Sequence, residues 1–169
     1  MTLRNLTRLA ASGGTAALVL AGILILGSRL VARAYAQGAG SHEHLEGVWR
    51  VQVTVRNCQT SVALRTFPAL FTFAKGGTLT VTTAGQFPAL STPGLGVWRH
   101  TDGDTYSAVF EAFVFSPAGA WIQTHRVTHT IEIGNDPDEF TDTVNLEIFD
   151  TTGSPIGTGC ATSVAHRFD

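Results

Sequence analysis

Side chains able to bind or react concentrate in one stretch, Trp121 to Ile133. Trp121, Gln123, His125, Val127, His129, Ile131 and Ile133 occupy alternate positions, and alternate side chains of an extended strand share a face. That face mixes polar groups with large apolar ones. Turned inward, Gln123, His125 and His129 would line a mostly apolar cavity with a few placed polar groups, which is how small-ligand sites are built. Trp98, Phe110 and Trp121 are the expected apolar walls of the same site. The alternative is that the histidines lie at a rim or satisfy core hydrogen bonds, since buried polar groups are paired with or without a ligand.

Other candidates for chemistry are weaker. His125 and His129 stand four residues apart, roughly 13 Å along a strand, too far to share one metal ion without other strands bending in. His42 and His44 form an H-x-H in a polar stretch, with no further ligand spacing around them. Asp136, Asp138, Glu139 and Asp142 gather around one turn, but a calcium loop has closer ligand spacing and a defined glycine, so a solvated turn is expected. Glu111 falls in an apolar run beside Val109 and Phe113. Apolar surroundings disfavour the charged carboxylate and can make it a general base, but pairing with Arg126 is the expectation. No G-x-S-x-G elbow or phosphate loop is present. The sequence therefore names no catalytic residue, metal or cofactor.

These residues must be positioned by strands. In the first strand Trp49, Val51, Val53 and Val55 alternate with Arg50, Gln52, Thr54 and Arg56, the pattern of a half-buried strand. A second strand covers Leu64 to Ala74, and Lys75-Gly76-Gly77 turns it into a third, Thr78 to Thr83. The loop Gly85 to Gly94 carries two prolines, and loops of this kind can act as lids. A fourth strand, Leu95 to Thr101, joins the fifth, Thr105 to Ser116, through an Asp102-Gly103 turn. The sixth, seventh and eighth strands are Ala120 to Ile133, Phe140 to Asp150 and Ile156 to Phe168. Consecutive hairpins make a meander, and closing it removes both sheet edges. The expected fold is all-β, a single eight-stranded antiparallel up-and-down barrel, with a sandwich as the alternative. Glu46 to Arg50 and Leu95 to Arg99 share the tetrapeptide G-V-W-R, which shared needs of strand entry explain.

The first 36 residues hold Arg4, Arg8, Arg29 and Arg33, no acid, and an apolar run from Thr15 to Gly27. That is the layout of a secretory signal, with Ala34-Tyr35-Ala36 as cleavage site; an uncleaved signal anchor is the alternative. Residues 1–36 are thus read as signal, 37–45 as a flexible tether and 46–169 as the barrel. The expected location is exported, periplasmic or secreted, with membrane contact only through an uncleaved N-terminus. Beyond residue 36 the chain keeps seven basic and thirteen acidic residues, a net of −6, which excludes the basic footprint of a nucleic-acid binder. Cys58 follows the first strand and Cys160 lies in the last. An even cysteine count in an exported chain favours a disulfide, against two free thiols or a Cys/His metal site. The bond would require the two ends of the domain to be neighbours, and a closed barrel makes the first and last strands neighbours.

Gly47-Val48-Trp49 opening the first strand resembles the G-x-W motif of the lipocalin and calycin group. The resemblance implies a tryptophan at the closed end of the barrel with an arginine from the last strand packed across it, here Trp49 and Arg167. Thr101-Asp102-Gly103-Asp104-Thr105-Tyr106 departs in spacing from the T-D-x-Y element of many lipocalins, and no helical pattern follows the last strand. Three functions suit such a chain. The first is binding or carrying a small apolar molecule. The second is an isomerase or cyclase on the same barrel with His125 or Glu111 as base. The third is an envelope interaction module with a packed, cavity-free interior.

Overall fold

A computed structural model describes residues 44–168, which fall within one compact unit, His42–Asp169. The expected signal segment and most of the expected tether lie outside the described residues. Eight strands follow one another: β1 (Gly47–Arg56), β2 (Ala63–Ala74), β3 (Thr78–Thr83), β4 (Gly94–Asp102), β5 (Thr105–Phe115), β6 (Trp121–Ile133), β7 (Glu139–Phe149) and β8 (Pro155–Arg167). Each pairs antiparallel with the next, and β1 pairs antiparallel with β8 over Trp49↔Arg167 to Arg56↔Cys160. The result is a closed up-and-down barrel. The only helical piece among the described residues is a 3-10 turn, Pro88–Leu90, so none is long and apolar enough to cross a membrane.

Turn chemistry sets the hairpins. Gly76 and Gly77 have φ of 91° and 90°, a backbone region closed to most L-residues but open to glycine. A side chain on Gly77 would also strike the Trp98 carbonyl oxygen, which is close because Trp98 donates its backbone N–H to Gly77 at 2.8 Å.

Alternation then decides what fills the barrel. Trp49 and Val51 of β1, Phe71 and Phe73 of β2, and Tyr106, Ala108 and Phe110 of β5 are all buried at every second position. One half of the interior is packed solid with aromatic rings. Trp49 lies 4.8 Å from Phe140, Phe73 lies 5.9 Å from Trp98, and Trp98 lies 6.0 Å from Tyr106, centroid to centroid. Each such side chain gains roughly 1.5–3 kcal/mol on leaving water, and tilted contacts between rings add to that. The indole N–H groups of Trp49 and Trp98 donate to the carbonyls of Leu45 and Ala74 at 2.9 and 3.1 Å, so neither ring strands a polar atom in the core.

Arg167 closes this end. Its guanidinium lies 4.3 Å over the Trp49 ring. It also donates to Asp138 Oδ1 at 2.6 Å and to the carbonyls of Glu46 and His44 at 2.6 and 2.7 Å. Leu45, placed in the tether by composition, is fully buried beneath the Trp49 indole. At the other end Cys58 and Cys160 are joined by a disulfide with their Cα atoms 5.3 Å apart. The bond ties the loop after β1 to β8, the neighbouring strand that completes the barrel.

Candidate functional site

The half of the barrel away from the aromatic plug is open. Val53 and Val55 of β1, Phe67 and Ala69 of β2, and Ala112 of β5 carry small or apolar side chains into it, and β8 contributes Gly159 and Ala161. These volumes do not fill the space, and a cavity of about 180 Å³ is left. The loop between β3 and β4 supplies its mouth through Gly85, Gln86, Ser91 and Thr92. That loop is pinned to β5, since Thr92 N–H donates to the Phe113 carbonyl and Phe113 N–H donates to Thr92 Oγ1, each at 3.0 Å. Arg65 holds its other end by donating to the Gly85 carbonyl at 3.1 Å. Gly94 permits the close approach that forms one wall, for a side chain there would run into the Phe110 ring.

At the boundary between plug and cavity lies a polar triplet. His129 Nδ1–H donates to Asp142 Oδ2 at 2.7 Å, and Ser163 O–H donates to Asp142 Oδ1 at 2.5 Å. The His129 side chain is 2 % exposed and the Asp142 side chain 0 %. Sheet register explains the meeting. Asp142 and Ser163 are direct partners across β7 and β8. His129 pairs with Val144, two residues along β7 from Asp142, and diagonal neighbours on one face are within reach of a long side chain. The imidazole is stacked on Phe110 at 5.5 Å and meets Phe71 edge-on at 5.3 Å. With Nδ1 committed to the carboxylate, the opposite ring nitrogen, Nε2, is left outside that bond, in a side chain that lines the cavity. Nε2 is buried and has no partner among the described residues.

His125 lines the same cavity nearer the mouth. Its Nε2 accepts from the Gln123 amide at 2.9 Å, so it is already engaged. Burial lowers its pKa below the ordinary histidine value because the charged imidazolium is disfavoured there. The unfolded chain takes up this proton near pH 6.5, and the folded chain does so only at lower pH. Stability therefore falls as pH drops from about 6.5 through the folded pKa, because the unfolded state binds more protons in that window. Denaturant titrations of the wild type and His125→Gln between pH 7.5 and 5, the range spanning that value, check this. The variant should lose part of the acid-side slope, and parallel curves would contradict it.

Phe110, His125 and His129 come together around the cavity. Trp98, Trp121 and Gln123 do not line it. Trp98 is turned inward but sits in the aromatic plug. Trp121 is 43 % exposed and packs 5.8 Å from Phe113 on the outer surface. A register shift between Val114 and Phe115 puts two residues of β6 opposite one of β5, and such a bulge reverses the alternation beyond it. Gln123 contacts the cavity-lining His125 through its amide.

The acidic residues also sort differently from their turn reading. Asp142 is no part of a solvated turn; it alternates with buried Phe140 and Val144 along β7 and faces the core. Asp138 pairs with Arg167 and Glu139 with His166. Glu111 is on the outer face, 2.7 Å from Arg126, its direct partner on β6, which removes it from any reaction inside the barrel. Ser163 was not a candidate from sequence. The available signal was its place between Ala161 and Ala165 on the inward face, a hydroxyl in an apolar row.

No family model, curated protein or solved structure matches this chain.

Proposed function

We propose that this protein is an exported small-molecule binder whose ligand occupies the cavity in the open half of the barrel. The observation that carries the reading is a cavity of about 180 Å³ with apolar walls and one buried, unpartnered nitrogen, His129 Nε2. An apolar cavity of roughly 150 Å³ is known to take up benzene, so the space suits a single ring. A cavity of this kind weighs against a barrel packed solid as an interaction module. Export is supported by the basic and apolar N-terminus and by the disulfide, which persists in oxidising compartments. A lipocalin-like assignment is supported by the closed barrel and by Arg167 stacked over Trp49 of the G-x-W motif.

The isomerase or cyclase reading keeps a specific observation in its favour. A histidine oriented by a carboxylate, its other nitrogen unpartnered beside a cavity, resembles the arrangement of a general base. On this fold that base would be His129 rather than His125 or Glu111. A substrate converted by the wild type and left unchanged by His129→Phe would favour it.

Ala112 points into the cavity from β5, and a phenyl ring there would occupy the ligand's space. NMR titration of the protein with toluene should shift the signals of Val127, Leu146 and Phe110, and Ala112→Phe should abolish the shifts while keeping the fold. Toluene shifts of equal size in Ala112→Phe, or none in the wild type, would contradict a ligand in this cavity.

A further inference from the structure

The geometry points to a ligand of defined chemistry: a small flat ring bearing one hydroxyl group, with that hydroxyl bonded to His129 Nε2. The inference rests on the cavity reading above and adds which kind of apolar molecule the cavity selects.

The hook is built and single. Asp142 accepts from His129 Nδ1 and from Ser163 Oγ, so the carboxylate is engaged at both oxygens and fixes the imidazole's orientation. In the neutral ring this leaves Nε2 with its lone pair, an acceptor that needs a donor. A buried polar atom left without a partner is costly, so a group that reaches Nε2 gains more than the same group would at the surface. A hydroxyl both donates and accepts, and it therefore satisfies Nε2 whichever way the proton lies. An ether or a carbonyl can only accept. The other polar groups of the cavity are already occupied or lie at its mouth, as with His125 held by Gln123 and Arg65 bonded to Gly85. One hydroxyl, rather than several, matches this inventory.

The walls define the remainder of the molecule. Phe110 lies parallel to the imidazole within 27° and Phe71 stands perpendicular to it at 89°. Nε2 is buried at the edge of the cavity, so the ligand hydroxyl reaches it with a small shift of the side chains around it, and the ligand ring then lies near Phe110, where stacking is favourable. The volume of about 180 Å³ accommodates one ring with a small substituent.

The test compares phenol, anisole, toluene and benzaldehyde as probes by NMR titration of the wild type and of Asp142→Asn. Anisole is more apolar than phenol, so burial alone would favour anisole. The inference predicts that the wild type binds phenol about tenfold more tightly than anisole, the worth of one well-made hydrogen bond. In Asp142→Asn the amide can donate to Nδ1 as well as accept from it, so Nε2 can carry the proton and bond the anisole oxygen too, and the phenol preference over anisole should fall toward parity. Independently of any variant, the ¹⁵N signal of His129 Nε2 in the wild type should move on adding phenol and stay nearly still on adding toluene. If all four probes bind alike, or benzaldehyde binds tightest, the hydroxyl assignment is overturned and the cavity reading stands. If none binds, both fall. If Asp142→Asn fails to fold, the wild-type affinities and the ¹⁵N shift decide the matter alone.

Discussion

Asp142→Ala should lower the stability of the barrel by about 2–5 kcal/mol, measured as a drop in the denaturant midpoint at unchanged slope. The carboxylate is fully buried and accepts from two donors, His129 Nδ1–H and Ser163 O–H. Alanine strands both, and each buried donor left without a partner costs roughly 1–3 kcal/mol. The cavity left by the lost side chain adds to that. Asp142→Asn keeps the shape and can keep a bond to each neighbour, so it should lose less than half as much. The ordering of the two variants separates this account from a merely steric one. A change within about 0.5 kcal/mol for alanine, the range of ordinary surface substitutions, would mean that the triplet is not buried as described.

The second large effect belongs to the disulfide. Cys58 and Cys160 are 102 residues apart in sequence, and on the chain-entropy model a loop of that length restricts the unfolded chain by up to about 4.7 kcal/mol. Reduction, or the double change Cys58→Ser with Cys160→Ser, should lower stability by about 2–5 kcal/mol. Cys160 also lines the cavity, and it pairs with Arg56 where β8 meets β1. The loss should therefore be accompanied by weaker toluene binding. Unfolding curves with and without reductant measure the first quantity, and the NMR titration under the same two conditions measures the second. Coincident unfolding curves would show that the bond constrains little.

Strand positions were legible because period-2 alternation and glycine turns are local signals. Val51, Val53 and Val55 read as one face of β1, and Lys75-Gly76-Gly77 marks the β2–β3 hairpin, in sequence as in structure. The closure of the barrel was legible from the two cysteines, which sit near the ends of the domain and require its first and last strands to meet. The site was legible only in part, because alternation gives the face of a residue and not its height along the barrel. Trp98 and His129 both point inward, yet one belongs to the plug and the other to the cavity. Height depends on the stagger between strands, which no single strand encodes. Trp121 was misplaced because one bulge inverts the alternation beyond it. Asp142 was misplaced because its neighbours in sequence, Asp136, Asp138 and Glu139, are turn residues. Its partners in space, His129 and Ser163, come from two other strands.

The central claim is that the open half of this barrel holds a small apolar molecule. Native mass measurement of the protein recovered from its own host tests it most directly, with Ala112→Phe expressed alongside. The account predicts that the wild type carries extra mass of one small organic molecule, lost on denaturation and absent from Ala112→Phe. A bare polypeptide mass in both proteins, together with no uptake of toluene or phenol by the wild type, would contradict it.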